Sequence, residues 1–530
     1  MGGQERRPMI SPLILERPGR WRGVGIAAGL LLAAAPVIVA ALALSGGGES
    51  AQSSGFLDTG FGPAVLRSLK VAAGVWFVAV LVGLPAGLFP ALYSIPLRRT
   101  LLGLVALPLL VPSFLWAVGL SMLRMALGLP ADNILGGFSG TVLAFSATAV
   151  PLVTLATYVA GRRITQGEAD AARLAGGERH LIFCVARSVF PMAVVAGLLG
   201  SILTLSDPGP GQILRFGGAA SHILVSFAAQ YDFALATRQS LSLAVIVLVL
   251  AVPAAIWLSP RMASGLLARQ TKSVALSERS TLAWIGLVLL AGIIGMTSVL
   301  PLAGLLQPLG NGVPVVRALV TVGRTLGDTV LLASIAGVVG TGLGFSLALC
   351  AGRRRRWQIV LLGGALVLFA LPPALSSLGA IHLAAIAPPT LDSLTRGQFT
   401  VGTIEALRLF PLGAVLAMRA FGTGSPDWTA AAAVHGVPLG KYFLRVLVPW
   451  VLPTAGITVV LIALLATADV TTALLLSPPG GGSLPLAIFT IMANAPEALV
   501  GALCLLYVGG AGILLAGVSG ILRRQERKRP

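Results

Sequence analysis

The stretch "DAARLAGGERHLIFCVARSVFP" (170–191) is a polar, alanine-rich interruption in a chain of 530 residues that is 56% apolar and only 10% charged. Thr165 stands three residues before Glu168, the spacing of a capping box, so a short helix is predicted to begin there. Gly176 is placed to end it in the left-handed conformation. The same design recurs 260 residues later: Ser425 is followed by Pro426 at the favoured first helical position, and "PDWTAAAAVHG" runs to Gly436. Both short helices carry an acid in the first turn, Glu168 and Asp427, where the helix dipole favours it.

Finding this interruption twice prompts a search for a duplication, and the rest of the chain supplies one. "VPSFLWAVG" (111–119) matches "LPPALSSLG" (371–379), with Pro112 against Pro372 and Gly119 against Gly379. "GLPAG" (83–87) faces "GTGLG" (340–344), and "PMAVVAGLLGSILTLSD" (191–207) faces "PTAGITVVLIALLATAD" (453–469). Gly83 with Gly87 and Gly340 with Gly344 form GxxxG patterns that let helices approach closely in lipid. Prolines at 108, 112, 372 and 373 interrupt matching segments and predict kinks.

Apolar runs long enough to cross a hydrocarbon core are placed at 23–44, 68–93, 100–123, 140–160, 186–206, 236–258, 281–305, 326–350, 358–385, 402–421, 447–468 and 498–521. The expectation is an all-α polytopic membrane protein of twelve spans. It divides into an N-terminal segment (1–22) and two six-helix repeats (23–270 and 271–530). Six is even, so the repeats run the same way across the bilayer, with a pathway expected at their interface.

The net charge of +19 would suit nucleic acid, but its placement excludes that reading: 28 of the 37 Lys and Arg fall in alternate connections, on one predicted side. This is positive-inside asymmetry with both termini cytoplasmic. Runs such as Arg353 to Arg356 read as anchors at lipid headgroups. The first apolar run exceeds a signal-peptide core in length and is read as a retained span. Three cysteines (Cys184, Cys350, Cys504) and four histidines (His180, His222, His382, His435) are scattered, so no disulfide framework, metal site or catalytic constellation is expected.

The short helices are too short to stand alone and need a partner surface. Ala169, Ala171, Ala172 and Ala175 in one, and Ala430 to Ala433 in the other, give a narrow face suited to a groove on another protein. A helix lying on lipid would want Leu, Phe or Trp along one side. "DAARLAG" (170–176) and "AAAAVHGVPLGKYFLRVLVP" (430–449) resemble the EAA loop of binding-protein-dependent ABC transporter permeases. The resemblance covers residues 60 to 530 and implies a type I importer-like fold. It makes Glu168, Asp170, Ala171, Ala172, Gly176, Asp427, Ala431, Ala432 and Gly436 the residues that dock on ATP-binding subunits. Asp170 replaces the usual Glu, and Ala430 occupies the acid position in the second copy, so stronger charged contact is expected from the first loop.

The resemblance further implies two copies of an ABC ATP-binding subunit carrying the ATP and magnesium, an external solute-binding protein, and a bacterial cytoplasmic membrane. The fused layout and "LLLSPPGGGSLPLAIFTIM" (474–492) look like the branch that imports ferric iron or thiamine. No phosphate loop is expected in this chain: "GVPLGKY" (436–442) has three residues between its glycines where four are needed, and Tyr where Ser or Thr belongs. Asp207 and Asp469, at matched outer ends of the fifth spans, and Ser376 and Ser377, beyond the Pro-Pro break, are candidates for the pathway. The rival reading is an ion-coupled secondary transporter, which would use acids buried within the spans; the spans are read as almost free of charge. A membrane-embedded enzyme is the third.

Overall fold

The computed structural model of the chain describes residues 20–45, 60–131, 133–267, 280–311, 315–425, 427–478 and 480–528. Pro426, Pro479, Arg269, Lys272, Arg279, Arg529 and most of the N-terminal segment (residues 1–19) lie outside them. The helices of the first part are α1 (Arg20–Ser45), α2 (Phe61–Leu92), α3 (Arg98–Ala106), α4 (Ser113–Ala126), α5 (Gly137–Gly161), α6 (Gln166–Leu205), α7 (Gly209–Ile213), α8 (Ala219–Ala228) and α9 (Phe233–Leu267). The second part contains α10 (Ser280–Ile294), α11 (Leu300–Leu306), α12 (Val315–Ala351), α13 (Arg355–Ala370), α14 (Pro373–Ile386), α15 (Asp392–Thr395), α16 (Gln398–Thr423) and α17 (Asp427–Val434). It ends with α18 (Leu439–Tyr442), α19 (Val448–Ala468), α20 (Val470–Leu476), α21 (Leu484–Ile491) and α22 (Glu497–Lys528). No β-strand occurs among the described residues.

Among the described residues, ten helices are long and apolar enough to cross a membrane, and two bent pairs bring the count to twelve if each pair is one span. The kinks expected from the prolines within 100–123 and 358–385 occur as sharp bends. The chain turns by 96° between Arg98–Leu110 and Ser113–Ala126, and by 86° between Arg355–Ala370 and Pro373–Ile386. The cause is local. A residue before proline is pushed out of the helical region, and Val111 (φ −113°, ψ 136°) and Leu371 (φ −61°, ψ 145°) are accordingly extended. Proline also lacks the N–H that would carry the helix on.

Close helix crossings hold the bundle together, as expected where lipid removes the hydrophobic drive between helices. On α2, a methyl group added to Gly87 would strike the Thr154 carbonyl oxygen of α5; on α12, one added to Gly344 would strike the backbone of Gly413 and Ala414 in α16. The first apolar run of each part, α1 in one and α10 with α11 in the other, reaches across to the other part. Gly379 of α14 packs on the Pro36 carbonyl of α1, and Gly119 of α4 packs on the Pro301 carbonyl of α11. Arg22, buried near the start of α1, donates to the Cys350 carbonyl at 3.1 Å, tying that end to α12.

Candidate functional site

Two features stand out, at opposite ends of α6. The first is the pair of short helices. Thr165 caps α6 as the sequence predicts: its Oγ1 accepts from the Glu168 N–H at 3.4 Å, and the Glu168 carboxylate accepts from the Thr165 N–H at 2.8 Å. The ending differs from expectation. Gly176 is extended (φ −173°), and Gly177 carries the left-handed angle (φ 71°), so the kink falls one residue later. Adjacent glycines leave either free to take the turn. In the second copy the Asp427 N–H donates to Ser425 Oγ at 3.3 Å, and Gly436 has φ 65°.

Both short helices lie at the same end of the molecule. Arg163, two residues before Thr165, packs its guanidinium on Gly265 of α9, while Gly422, three before Ser425, packs on the Leu266 carbonyl. Partial burial, then the nearby Arg419, lowers the Arg163 pKa from its ordinary value. Each helix is fastened on one side only. Arg173 joins Glu178 at 2.9 Å and Asp170 at 3.3 Å, and Tyr93 of the α2–α3 turn donates to Glu178 at 2.9 Å. Trp428 stacks edge-on against Trp450 with ring centroids 5.0 Å apart.

The free faces correspond position by position. Ala169 and Thr429 are buried, Ala172 and Ala432 half-buried; Asp170, Ala171 and Gly176 are exposed, as are Ala430, Ala431 and Gly436. Asp427 is exposed as well. Sequence reasoning missed the two side chains that project furthest: Leu174, 90% exposed, and Val434, 84% exposed, again 260 residues apart. Their signal was an aliphatic residue two before the glycine in each copy.

The second feature is a cavity of about 580 Å³ between the two parts, at the breaks of the bent pairs. Its walls come from positions 260 apart: Ala106 and Leu366, Leu109 and Phe369, Phe145 and Glu405, Thr148 and Arg408, Ala149 and Leu409, Leu152 and Leu412. Asp207, just beyond the end of α6, and Asp469, just beyond the end of α19, also line it; the part of α6 after Gly177 spans roughly 40 Å.

Charge gathers in this otherwise apolar space. Arg408 and Asp469 form an ion pair, and Asp469 accepts from the Thr471 and Thr472 N–H groups at 3.0 and 3.2 Å, capping α20. Asp207 accepts from the Ser113 hydroxyl and, at 2.9 Å, from the Gly209 N–H. Glu405 is fully buried beside Arg408 and Thr472, yet neither of its oxygens meets hydrogen-bond geometry. Glu405 and Arg408 correct the expectation of spans almost free of charge, since both lie within α16. They were visible as two ionisable residues in the run 402–421. Ser376 and Ser377 are not among the lining residues, and the Ser377 hydroxyl donates to the Pro373 carbonyl at 3.0 Å. Among the described residues no three His, Cys, Asp or Glu side chains converge as metal ligands.

No known protein family, curated protein or solved structure matches this chain.

Proposed function

We propose that the chain is the membrane-spanning subunit of an ATP-driven ABC-type importer in a bacterial cytoplasmic membrane, built as two parallel six-helix repeats with both termini in the cytoplasm. The observation that carries this reading is the pair of short helices at one end, each capped, fastened on one side and presenting a bare aliphatic side chain, Leu174 or Val434, on the other. Two such pegs fit two copies of one ATP-binding subunit, which would supply the ATP, the magnesium and the hydrolysis. Closure of those subunits draws the pegs together and tilts the two halves about the cavity between them. An external binding protein delivers the solute at the opposite end. By sequence resemblance that solute is ferric iron or thiamine-like.

The test is purification of the tagged chain from its native membrane. A co-purifying subunit with a phosphate loop, two per chain, and uptake into proteoliposomes that requires ATP support the reading. Uptake without ATP that collapses with a protonophore refutes it. That outcome would favour the second reading, an ion-coupled transporter, for which Glu405 supplies a buried carboxylate within a span.

A further inference from the structure

A carboxylate sealed in an apolar wall is costly unless something completes it. Glu405 has 0% exposure and both of its oxygens lack hydrogen bonds, yet its side chain borders a space of about 580 Å³, the size of a pocket for a small organic ligand. Arg408 lies close enough to attract it, but no neighbour meets hydrogen-bond geometry with either oxygen. Arg408 is engaged with Asp469, and Asp207 is held by Ser113 and the Gly209 N–H. Three carboxylates therefore face one guanidinium. Such an imbalance favours a cation over an anion.

The rest of the wall sets the shape of the charge carrier. Leu152, Phe369, Leu409, Leu412 and Leu465 offer apolar surface, and no metal-ligand grouping forms among the described residues. A bare ferric ion, which needs several hard oxygen ligands at once, finds no such set. We infer that this cavity binds a monovalent organic cation with an apolar body, its charged group against Glu405. The inference rests on the importer reading only in taking the cavity as the place the solute passes. The first half contributes Asp207, but at two matched wall positions only the second half is charged, since Phe145 and Thr148 stand where Glu405 and Arg408 do.

The test uses the purified full chain in lipid nanodiscs with radiolabelled benzyltrimethylammonium as probe. Its neutral near-isostere 2-methyl-1-phenyl-2-propanol and the anion benzylphosphonate serve as competitors. Saturable binding that neither competitor displaces, weakened about tenfold or more by Glu405→Gln, is expected. Glu405→Asp should keep the preference for the cation. Displacement by the alcohol or the phosphonate overturns the inference from the unaltered protein alone, whether or not the variants fold; so does unchanged affinity in well-folded Glu405→Gln. The assay needs neither ATP nor an ATPase. Failure here with ATPase docking intact removes this inference only, whereas selective binding without docking removes the importer reading only.

Discussion

If the proposed ATP-binding subunits dock on the pegs, truncating both, Leu174→Ala with Val434→Ala, should weaken that docking while leaving the chain's own stability unchanged. Leu174 is 90% and Val434 84% exposed, so in the isolated chain neither contributes much packing. Fully burying a side chain of this kind is worth about 1.5 to 3 kcal/mol, and alanine retains only part of that. Each ATP-binding subunit meets one peg, so the double variant removes roughly 1 to 1.5 kcal/mol at each of the two sites. That is a fall in affinity of about five- to more than tenfold at each site. The assay is equilibrium binding of the ATPase subunit to nanodisc-embedded chain, with thermal unfolding of the chain alone as control. Leu174 is a cleaner probe than Ala172, which is half-buried against the core, so that a bulky replacement there disturbs the fold as well. An unchanged affinity in the double variant, with stability intact, would falsify the docking role of these helices.

Removing the cap by Thr165→Ala should cost the first short helix about 1 kcal/mol and weaken ATPase binding about fivefold, with no change in melting of the chain. Gly379→Leu forces a side chain into the Pro36 carbonyl, so it should abolish monodisperse elution, whereas the same change at Gly342, which has open space around it, should be tolerated. Arg408→Thr leaves the buried Glu405 and the half-buried Asp469 and Asp207 without their guanidinium and should lower stability by about 3 kcal/mol, read as a fall in thermal midpoint.

What the sequence made legible was whatever depends on neighbours along the chain. The capping box at Thr165 and Glu168, the breaks at Pro112 and Pro372, and the close approaches at Gly87 and Gly344 follow from local sterics and hydrogen bonding. The bend angles did not follow, because a proline frees the backbone and the surrounding helices decide where it goes. Nor did the crossing of α1 onto α14 and α11 onto α4, which no local pattern encodes. Glu405 and Arg408 were overlooked for a different reason. The run 402–421 was read for its apolar length, whereas i,i+3 spacing within it places both on one helix face.

The cavity separates two kinds of constraint within a single chain. Positions that set backbone geometry repeat at about 260 residues in kind as well as place: Pro112 and Pro372, Gly119 and Gly379, Asp207 and Asp469. Several positions that face the cavity repeat in place but not in kind, as Phe145 and Thr148 against Glu405 and Arg408, while Leu152 and Leu412 match in both. If the shared positions carry the frame and the divergent ones the solute chemistry, the second can be erased without harming the first. The variant Glu405→Phe with Arg408→Thr copies the first half onto the second. It removes a carboxylate together with the guanidinium, and Asp469 keeps its Thr471 and Thr472 N–H donors much as Asp207 keeps that of Gly209. It should melt within a few degrees of the parent, unlike Arg408→Thr alone, and show no preference for benzyltrimethylammonium over the neutral alcohol. A double variant as unstable as the single one would mean that the ion pair belongs to the frame, and that chemical divergence between the halves is no guide to where the solute is read.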